Sequence, residues 1–195
     1  MTCIAIIPAR GGSRRIPRKN IRMFHGKPII AYSIEAARES GVFDKIVVST
    51  DDREIVDVAI QYGADHIHFR DEASSKDEVG TQEVARIVLN GYPHADYACM
   101  IYPCAPMLSP DALRTAKDTL ITTTNNVDYV VPVGNWLQDP GQFYFGRASA
   151  FQVGVPLLGL GTRLLPINPK TDCDINTMED WERAERMYTE LKEKS

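Results

Sequence analysis

Cysteine and histidine are scarce in this sequence, and the motifs by which they bind metals are missing. The four cysteines are Cys3, Cys99, Cys104 and Cys173. No pair of them has CxxC spacing, which excludes a zinc ribbon and a dithiol redox motif. We expect reduced thiols that pack as small apolar side chains. His66 and His68 would share one face of a strand, and we interpret them as packed or solvated side chains in preference to a two-ligand metal site.

Long apolar runs are missing as well. No stretch of the 195 residues is long enough and apolar enough to cross a bilayer, so we predict no membrane partner. The N-terminal segment MTCIAIIPAR is apolar over too few residues for a secretory signal peptide, and Arg10 follows at once. We therefore expect a cytoplasmic location. Hydrophobic residues make up 44% of the chain, enough for the core of one compact domain spanning residues 1–195.

Negative charge predominates, with a formal net charge of −4, but one short segment contains no acidic residue. The cations of this segment, which spans residues 10–22, are Arg10, Arg14, Arg15, Arg18, Lys19 and Arg22. A local basic loop on an acidic body favours a small, dense anion as the partner. A nucleic-acid surface would spread its positive charge and interleave aromatic side chains, whereas this loop has no aromatic residue before Phe24. We predict no nucleic-acid partner.

Strand-like and helix-like segments alternate along the chain. The predicted strands are 3–8, 45–50, 65–69, 97–102, 128–132 and 142–145. The predicted helices are 28–40, 51–62, 81–90, 109–121 and a last one that begins after Thr177. This alternation predicts an α/β fold in which helices flank a mostly parallel, Rossmann-like sheet. Ligands of such sheets bind beyond the carboxyl ends of the strands. The loops expected there are 9–27, 50–53, 103–109 and 133–141.

The loop after the first strand carries the strongest functional signal, in the sequence IIPARGGSRRIPRKNI. Gly11 and Gly12 allow a tight turn whose N–H groups face a ligand, and the flanking cations can bind phosphate oxygens. Nucleotidyl transfer needs such fixed positive groups, because negative charge gathers on the phosphates in its transition state. The loop lacks the GK[ST] ending of a P-loop and the GxGxxG of a dinucleotide site. The alternative interpretation is a solvated basic turn.

Several segments, in order from residue 4 to about residue 188, resemble the acylneuraminate cytidylyltransferase family, and most closely its pseudaminic acid branch. They are IPARGGSRRIPRKNI, GKPIIAYSIEAA, FDKIVVSTDD, YPCAPML, GQFYFG and DINTMEDWERAERMY. The resemblance implies a fold of the nucleotide-diphospho-sugar transferase (GT-A-like) type. It also implies transfer of CMP from CTP to a nonulosonic, sialic-acid-like acid, with Mg²⁺ as cofactor and release of pyrophosphate.

The resemblance also implies roles for individual residues. Arg10 and Lys19 would contact the CTP phosphates, and Arg14 stands where the family usually has a lysine that polarises the α-phosphate. The other nucleotide-binding positions implied are Gly11, Gly12, Ser13, Asn20, Arg70, Pro103 and Ala105. Gln142 matches a position that faces the sugar. The alternatives are an exposed loop arginine for Arg70 and a polar strand-edge residue for Gln142.

A C-terminal segment, Asp174–Ile175–Asn176, stands where the family has a DID metal motif. Residues two apart on an extended segment point to one side, so Asp174 and Asn176 could reach one Mg²⁺ ion, with Asp172 assisting. Asn176 offers a neutral carbonyl oxygen in place of a carboxylate. The competing interpretation of this segment is the N-terminal cap region of the last helix, where Asp and Asn are common.

The sequence departs from the family pattern between residues 133 and 140, VGNWLQDP, which replace a long insertion. In the family this insertion reaches a second subunit and completes its sugar site. The resemblance implies a homodimer, and we therefore expect this dimer to be absent or differently built here. Together with Arg14 and Asn176, the short segment raises an alternative, a CTP-binding homologue with little or no transferase activity. A sugar-1-phosphate nucleotidyltransferase that uses another nucleotide ranks last, because such enzymes carry a glycine-rich loop of different composition.

Overall fold

The computed structural model describes residues 1–71, 79–123 and 127–193, without the side chain of Trp136. Its strands are β1 (Cys3–Pro8), β2 (Met23–Phe24), β3 (Lys27–Pro28), β4 (Lys45–Thr50), β5 (His66–Phe69), β6 (Tyr97–Ile101), β7 (Tyr129–Val133), β8 (Phe143–Arg147) and β9 (Thr162–Pro166). Its α-helices are α1 (Ile29–Ser40), α2 (Arg53–Gln61), α3 (Thr81–Leu89), α4 (Pro110–Thr122), α5 (Ala148–Val153) and α6 (Met178–Lys192). Short 3₁₀ turns occupy Lys19–Ile21, Asn135–Leu137 and Pro169–Thr171.

The main sheet has seven strands in the order β5-β4-β1-β6-β8-β7-β9. Strand β8 runs antiparallel to β6 and β7, and the other neighbouring pairs are parallel. β1 lies inside the sheet between β4 and β6, and its first five residues, CIAII, are fully buried. A continuous apolar run is what a parallel strand with both faces covered requires. These findings confirm the predicted α/β class with a mostly parallel sheet.

The two faces of β1 belong to two separate hydrophobic cores, because successive side chains of a strand point to opposite sides. Ala5 and Ile7 lie in the core beneath α1, α2 and α4, whereas Ile4 and Ile6 lie in the core beneath α3 and α5. All four cysteines are free and buried, in agreement with their expected packing role. None of the helices in the described ranges combines the length and apolarity needed to cross a bilayer.

A third apolar cluster positions the C-terminal segment. Trp181 and Ala184 of α6 pack with Ile16 of the basic loop and with Ile175, which lies just before the helix. The predicted stripe of α6 continues in Tyr188 and Leu191, which pack partly buried against the same cluster. This packing brings the basic loop and the Asp174–Asn176 segment to the same side of the molecule.

Thr177 caps α6 in a reciprocal arrangement. Its hydroxyl accepts a hydrogen bond from the Asp180 N–H at 3.2 Å, and Asp180 Oδ2 accepts one from the Thr177 N–H at 2.9 Å. We expect Thr177→Ala to lower the free energy of unfolding by about 1 kcal/mol, measured by urea denaturation. Thr189→Ala, on the exposed surface of the same helix, is the control and should change it by less than about 0.5 kcal/mol. Equal losses in both variants would contradict the capping role.

Candidate functional site

A cavity of about 520 Å³ opens at the carboxyl ends of β1, β5 and β6. Its wall contains Arg10, Ser13, Arg14, Arg15, Lys19 and Asn20 from the basic loop, Arg70 after β5, Pro103 after β6, Gly141 before β8, and Asp174 and Asn176 near the C-terminus. This is the edge at which ligands of open α/β sheets bind. The structure therefore places most of the residues selected from the sequence around one space.

The turn of the basic loop is fixed by the segment that follows β4. The Gly11 N–H donates to Asp51 Oδ1 at 2.8 Å, and the Ser13 N–H donates to the Gly11 carbonyl at 3.0 Å. A Cβ at Gly11 would lie only 2.4 Å from Asp52 Oδ2, so this close approach requires glycine. At Gly12 a Cβ would meet no described atom within 4 Å. Gly11 is thus needed for packing, and neither glycine belongs to the cavity wall.

Asn20 links the basic loop to the turn after β6. Its Nδ2 donates to the Arg10 carbonyl at 2.8 Å, and its Oδ1 accepts from the Cys104 thiol, with 3.2 Å between sulfur and oxygen. Burial raises the pKa of the Cys104 thiol to about 12, so the thiol remains a protonated donor at neutral pH. Asn20 itself is buried, and its hydrogen bond fixes the backbone of Arg10.

The acidic segment is bonded directly to the basic loop. Lys19 Nζ donates to the Ile175 carbonyl at 2.8 Å, and Arg15 Nη2 donates to Asn176 Oδ1 at 2.9 Å. The amide nitrogen of Asn176 in turn donates to Asp174 Oδ2. Arg15 was not selected from the sequence, although it belongs to the same basic run, because its neighbours matched the family pattern and it did not.

The carboxylate of Asp174 lies against a glycine. A Cβ at Gly141 would be 2.6 Å from Asp174 Oδ1, and Gly141 has a positive φ of 61°. The N-terminal cap of α6 is formed by Thr177 and Asp180, and the Asp174 carboxylate instead faces the cavity beside Asn176. The competing interpretation of this segment as the cap region of α6 is therefore wrong for the Asp174 side chain, but it holds for Asn176, whose N–H donates to Asp180 Oδ2 at 3.0 Å.

Arg70 is a buried residue of the cavity wall. Only 7% of its surface is exposed, and its Nε donates to Ser49 Oγ at 2.9 Å. Burial lowers the pKa of the Arg70 guanidinium, and Arg10 lowers it further against the opposing effect of Asp51. The alternative interpretation, an exposed arginine on a loop, is therefore wrong.

Four selected residues do not belong to the described cavity wall: Gly11 and Gly12, discussed above, and Ala105 and Gln142. Ala105 is buried in the core beneath α1 and α4. Gln142 is also buried, and its Nε2 donates to the Thr171 carbonyl at 2.8 Å. Asp172, which we expected to assist a metal, accepts a hydrogen bond from the Asn135 N–H at 2.8 Å instead. The sugar role of Gln142 and the nucleotide role of Ala105 remain predictions.

The sequence predicted the helix α3, but it did not predict that the N-terminal end of this helix lines the cavity. Val79, Gly80 and Thr81 line the cavity, and Gly80 is the N-cap residue without a side-chain cap. Unpaired N–H groups and the helix dipole make such an end favourable for an anion. The signal that could have revealed this site is Gly80, which stands directly before the helical pattern that begins at Thr81.

The donor set at Asp174 fits a divalent cation of the magnesium type. Mg²⁺ often takes one or two carboxylates and completes its octahedral shell with substrate phosphates and water. No cluster of three or more His, Cys, Asp or Glu side chains exists among the described residues. Asp174 supplies one carboxylate at the cavity, whereas the oxygen of Asn176 already accepts from Arg15.

A family model described as cytidylyltransferase matches residues 4–140. The chain belongs to the cytidylyltransferase family. It is 34% identical over 224 residues to the pseudaminic acid cytidylyltransferase of Campylobacter jejuni strain 81-176, and this match covers 96% of the chain and 97% of the relative. These matches confirm the resemblance found in the motifs.

Solved structures show the same fold at low sequence identity. A CMP:2-keto-3-deoxy-manno-octonic acid synthetase complexed with CTP has a TM-score of 0.77 and 14% identity, covering 98% of this chain and all of that one. A Mycobacterium tuberculosis protein in complex with manganese has a TM-score of 0.68 and 16% identity, covering 95% of this chain and 99% of the other. The predicted nucleotide-sugar transferase type of fold is confirmed.

Proposed function

We propose that this member of the cytidylyltransferase family transfers CMP from CTP to a nonulosonic acid, with pseudaminic acid as the first candidate, and releases pyrophosphate. The observation that carries the proposal is the meeting of the basic loop and the acidic segment in one cavity. The bonds from Lys19 to Ile175 and from Arg15 to Asn176 join these two regions, and the bonded residues lie 156 and 161 positions apart in the chain. The 34% identity to a pseudaminic acid cytidylyltransferase supports the sugar class.

In this proposal the triphosphate of CTP lies along the basic loop. Arg10, Arg14 and Lys19 neutralise the charge that grows on the α-phosphate and the leaving pyrophosphate. The hydroxyl on the anomeric carbon of the sugar attacks the α-phosphorus in line, the bond to pyrophosphate breaks, and the hydroxyl proton passes to solvent water. Ser13, Asn20, Arg70 and Pro103 define the nucleotide part of the cavity.

Asp174 is the residue that would hold a divalent cation, for which we propose Mg²⁺. Bound there, the cation would neutralise charge on the phosphate oxygens. Asn176 orients the Asp174 carboxylate through its amide nitrogen, and its oxygen could join the cation only in competition with Arg15.

We expect Asn176→Asp to leave kcat/KM equal or to raise it. The new carboxylate would give the cation a second charged oxygen while still accepting from Arg15. Pyrophosphate release, titrated with Mg²⁺, measures the effect. Gln152→Glu adds the same charge on the exposed side of α5 and serves as the control. A steep loss of kcat/KM confined to Asn176→Asp would mean that the site depends on the hydrogen bond that the Asn176 amide donates to Asp174.

The second candidate function is a CTP-binding homologue with little or no transferase activity. The bond between Arg15 and Asn176 favours it, because it occupies the oxygen that a second metal ligand would offer. The two functions separate in one experiment, in which pyrophosphate release is measured with CTP or UTP and several nonulosonic acids. A transferase turns over CTP only when an acceptor acid is present. A binder is stabilised against heat by CTP and shows no turnover.

The oligomeric state and the location are also part of the proposal. The alignment with the Campylobacter enzyme is 224 residues long, so that relative contains residues that this 195-residue chain lacks. We propose that this difference in length falls at 133–140, as a shortened insertion within one domain. We propose that the homodimer of the family is absent or built by other surfaces, which sedimentation equilibrium would test. Four free, buried cysteines support a cytoplasmic location.

A further inference from the structure

A chain of hydrogen bonds leads from the nucleotide cavity into the sheet. Arg70 Nε donates to Ser49 Oγ at 2.9 Å, and Ser49 Oγ lies 3.0 Å from His68 Nδ1. Ser49 is completely buried and Arg70 nearly so. The serine therefore connects a cavity-lining guanidinium to an imidazole that lies outside the cavity wall described above.

The register of the sheet explains this arrangement. Ser49 of β4 is paired with His68 of β5 in the parallel ladder, so their side chains lie on the same face. Arg70 follows His68 by two residues and points to that face as well, and its N–H continues the ladder by donating to the Thr50 carbonyl at 2.8 Å. The chain of hydrogen bonds is thus fixed by the pairing of two neighbouring strands.

His68 faces a second cavity, of about 560 Å³, between β5 and the end of α3. The imidazole is half-buried there, and Asp65, His66 and Tyr92 line the same space. His66 Nδ1 is hydrogen-bonded to the Tyr92 hydroxyl at 2.5 Å and takes no part in the bonds to Ser49. Solvent in this second cavity can exchange protons with His68 without entering the nucleotide cavity.

We propose that His68, acting through Ser49, positions Arg70 for the nucleotide, and that it does so only while the imidazole is neutral. His68 is a positioning residue, since it does not line the cavity in which the substrate would bind. The inference rests on the proposed function, because Arg70 is assigned to the nucleotide there. It adds a residue for which no family motif gave a role.

The number of hydrogen-bond donors and acceptors explains why the positioning of Arg70 depends on a neutral His68. Ser49 Oγ accepts from Arg70 Nε–H, and its single O–H can then donate to an unprotonated His68 Nδ1. A second proton on the imidazole turns Nδ1 into a donor, so the serine O–H loses its acceptor and a second cation stands near Arg70. Burial lowers the pKa of His68, Arg70 lowers it further, and Asp71 opposes both. Positioning is therefore intact at neutral pH and lost as the pH falls below the ordinary histidine range.

Steady-state kinetics of pyrophosphate release test the proposal with three variants. We expect His68→Phe to raise KM for CTP about tenfold at neutral pH with a smaller change in kcat. His68→Asn places an acceptor oxygen close to the position of Nδ1 and should keep KM within about twofold of wild type. His66→Phe removes the neighbouring imidazole that is bonded to Tyr92, and it should leave KM for CTP unchanged.

The pH profile separates positioning from a merely structural role. In the wild type, KM for CTP should rise as the pH falls through the acid range, whereas in His68→Asn this rise should be reduced to the part caused by protonation of CTP itself. The proposal is overturned if His68→Phe keeps the wild-type KM, if His66→Phe raises it equally, or if His68→Asn keeps the full acid rise. A wild-type protein without any turnover would instead refute the proposed function. In that case, CTP-dependent thermal stabilisation of the same variants still decides whether His68 positions Arg70.

Discussion

We expect Arg10→Ala to lower kcat for pyrophosphate release by about 100-fold or more at saturating CTP and acceptor acid. Arg10 lines the cavity, and the Asn20 amide fixes its backbone carbonyl at 2.8 Å. A guanidinium held on a fixed backbone stabilises the growing phosphate charge without reorganising during the reaction. Its loss should therefore affect the transition state more than the binding of CTP.

A matched control for Arg10→Ala exists in the same basic run. Arg22 carries the same charge, but its guanidinium lies 5.3 Å from the centre of the Trp181 ring and it does not line the cavity. Arg22→Ala should keep kcat within about threefold of wild type, because it removes one positive charge without touching the site. If Arg10→Ala retained a wild-type rate, or if both variants lost activity equally, the assignment of the loop to the phosphates would fail.

The sequence identified the basic run, but it could not divide the cations by role. Arg18 forms ion pairs with Asp52 and Glu54, and the hydrogen bond that Arg18 donates to Asp52 raises the pKa of the Arg18 guanidinium. Arg18 and Arg22 thus contribute to packing, whereas Arg10, Arg14, Arg15 and Lys19 line the cavity. This division depends on residues far along the chain, and spacing within the run contains no information about them.

The fold could be predicted where the periodicity was strong and local. β1 is a continuous apolar run and β4 contains the apolar residues IVV, and both strands occur where the pattern placed them. β9 was missed because its Leu164 is half exposed and Pro166 ends it, so it reads as a loop. α5 has only six residues, too few to show a helical period. The antiparallel direction of β8 is set by pairing with β6 and β7, which no local pattern encodes.

The family resemblance placed some site residues better than it placed others. It selected Arg70, and the structure buries Arg70 in the cavity wall. It also selected Ala105 and Gln142, whose side chains lie in the core or bond to Thr171. Motif matching selects segments, and a neighbouring residue in a matched turn can face the interior. Ser49 belongs to the matched segment FDKIVVSTDD, but His68 lies outside every motif, and their contact follows only from the sheet register.

We expect Asp174→Asn to lower kcat/KM by roughly 100- to 1,000-fold and to raise the Mg²⁺ concentration needed for half-maximal rate. The substitution keeps the size of the side chain but removes the negative charge that would hold the cation. It also places an amide opposite the amide nitrogen of Asn176, which now donates to Asp174 Oδ2. Isothermal titration of Mg²⁺ in the presence of CTP measures the loss of metal affinity directly, independently of turnover.

Asp172→Asn is the matched control for the metal assignment, since it removes the same charge two residues earlier. Asp172 accepts from the Asn135 N–H at 2.8 Å, and a Cβ at Gly134 would lie 1.9 Å from its Oδ2, so it is bound to the 133–140 segment. We expect this variant to keep its Mg²⁺ dependence. If instead Asp172→Asn shifted the Mg²⁺ titration and Asp174→Asn did not, the cation would belong to Asp172. The bonds from the basic loop to Ile175 and Asn176 would then be structural, with no part in holding the metal near the triphosphate.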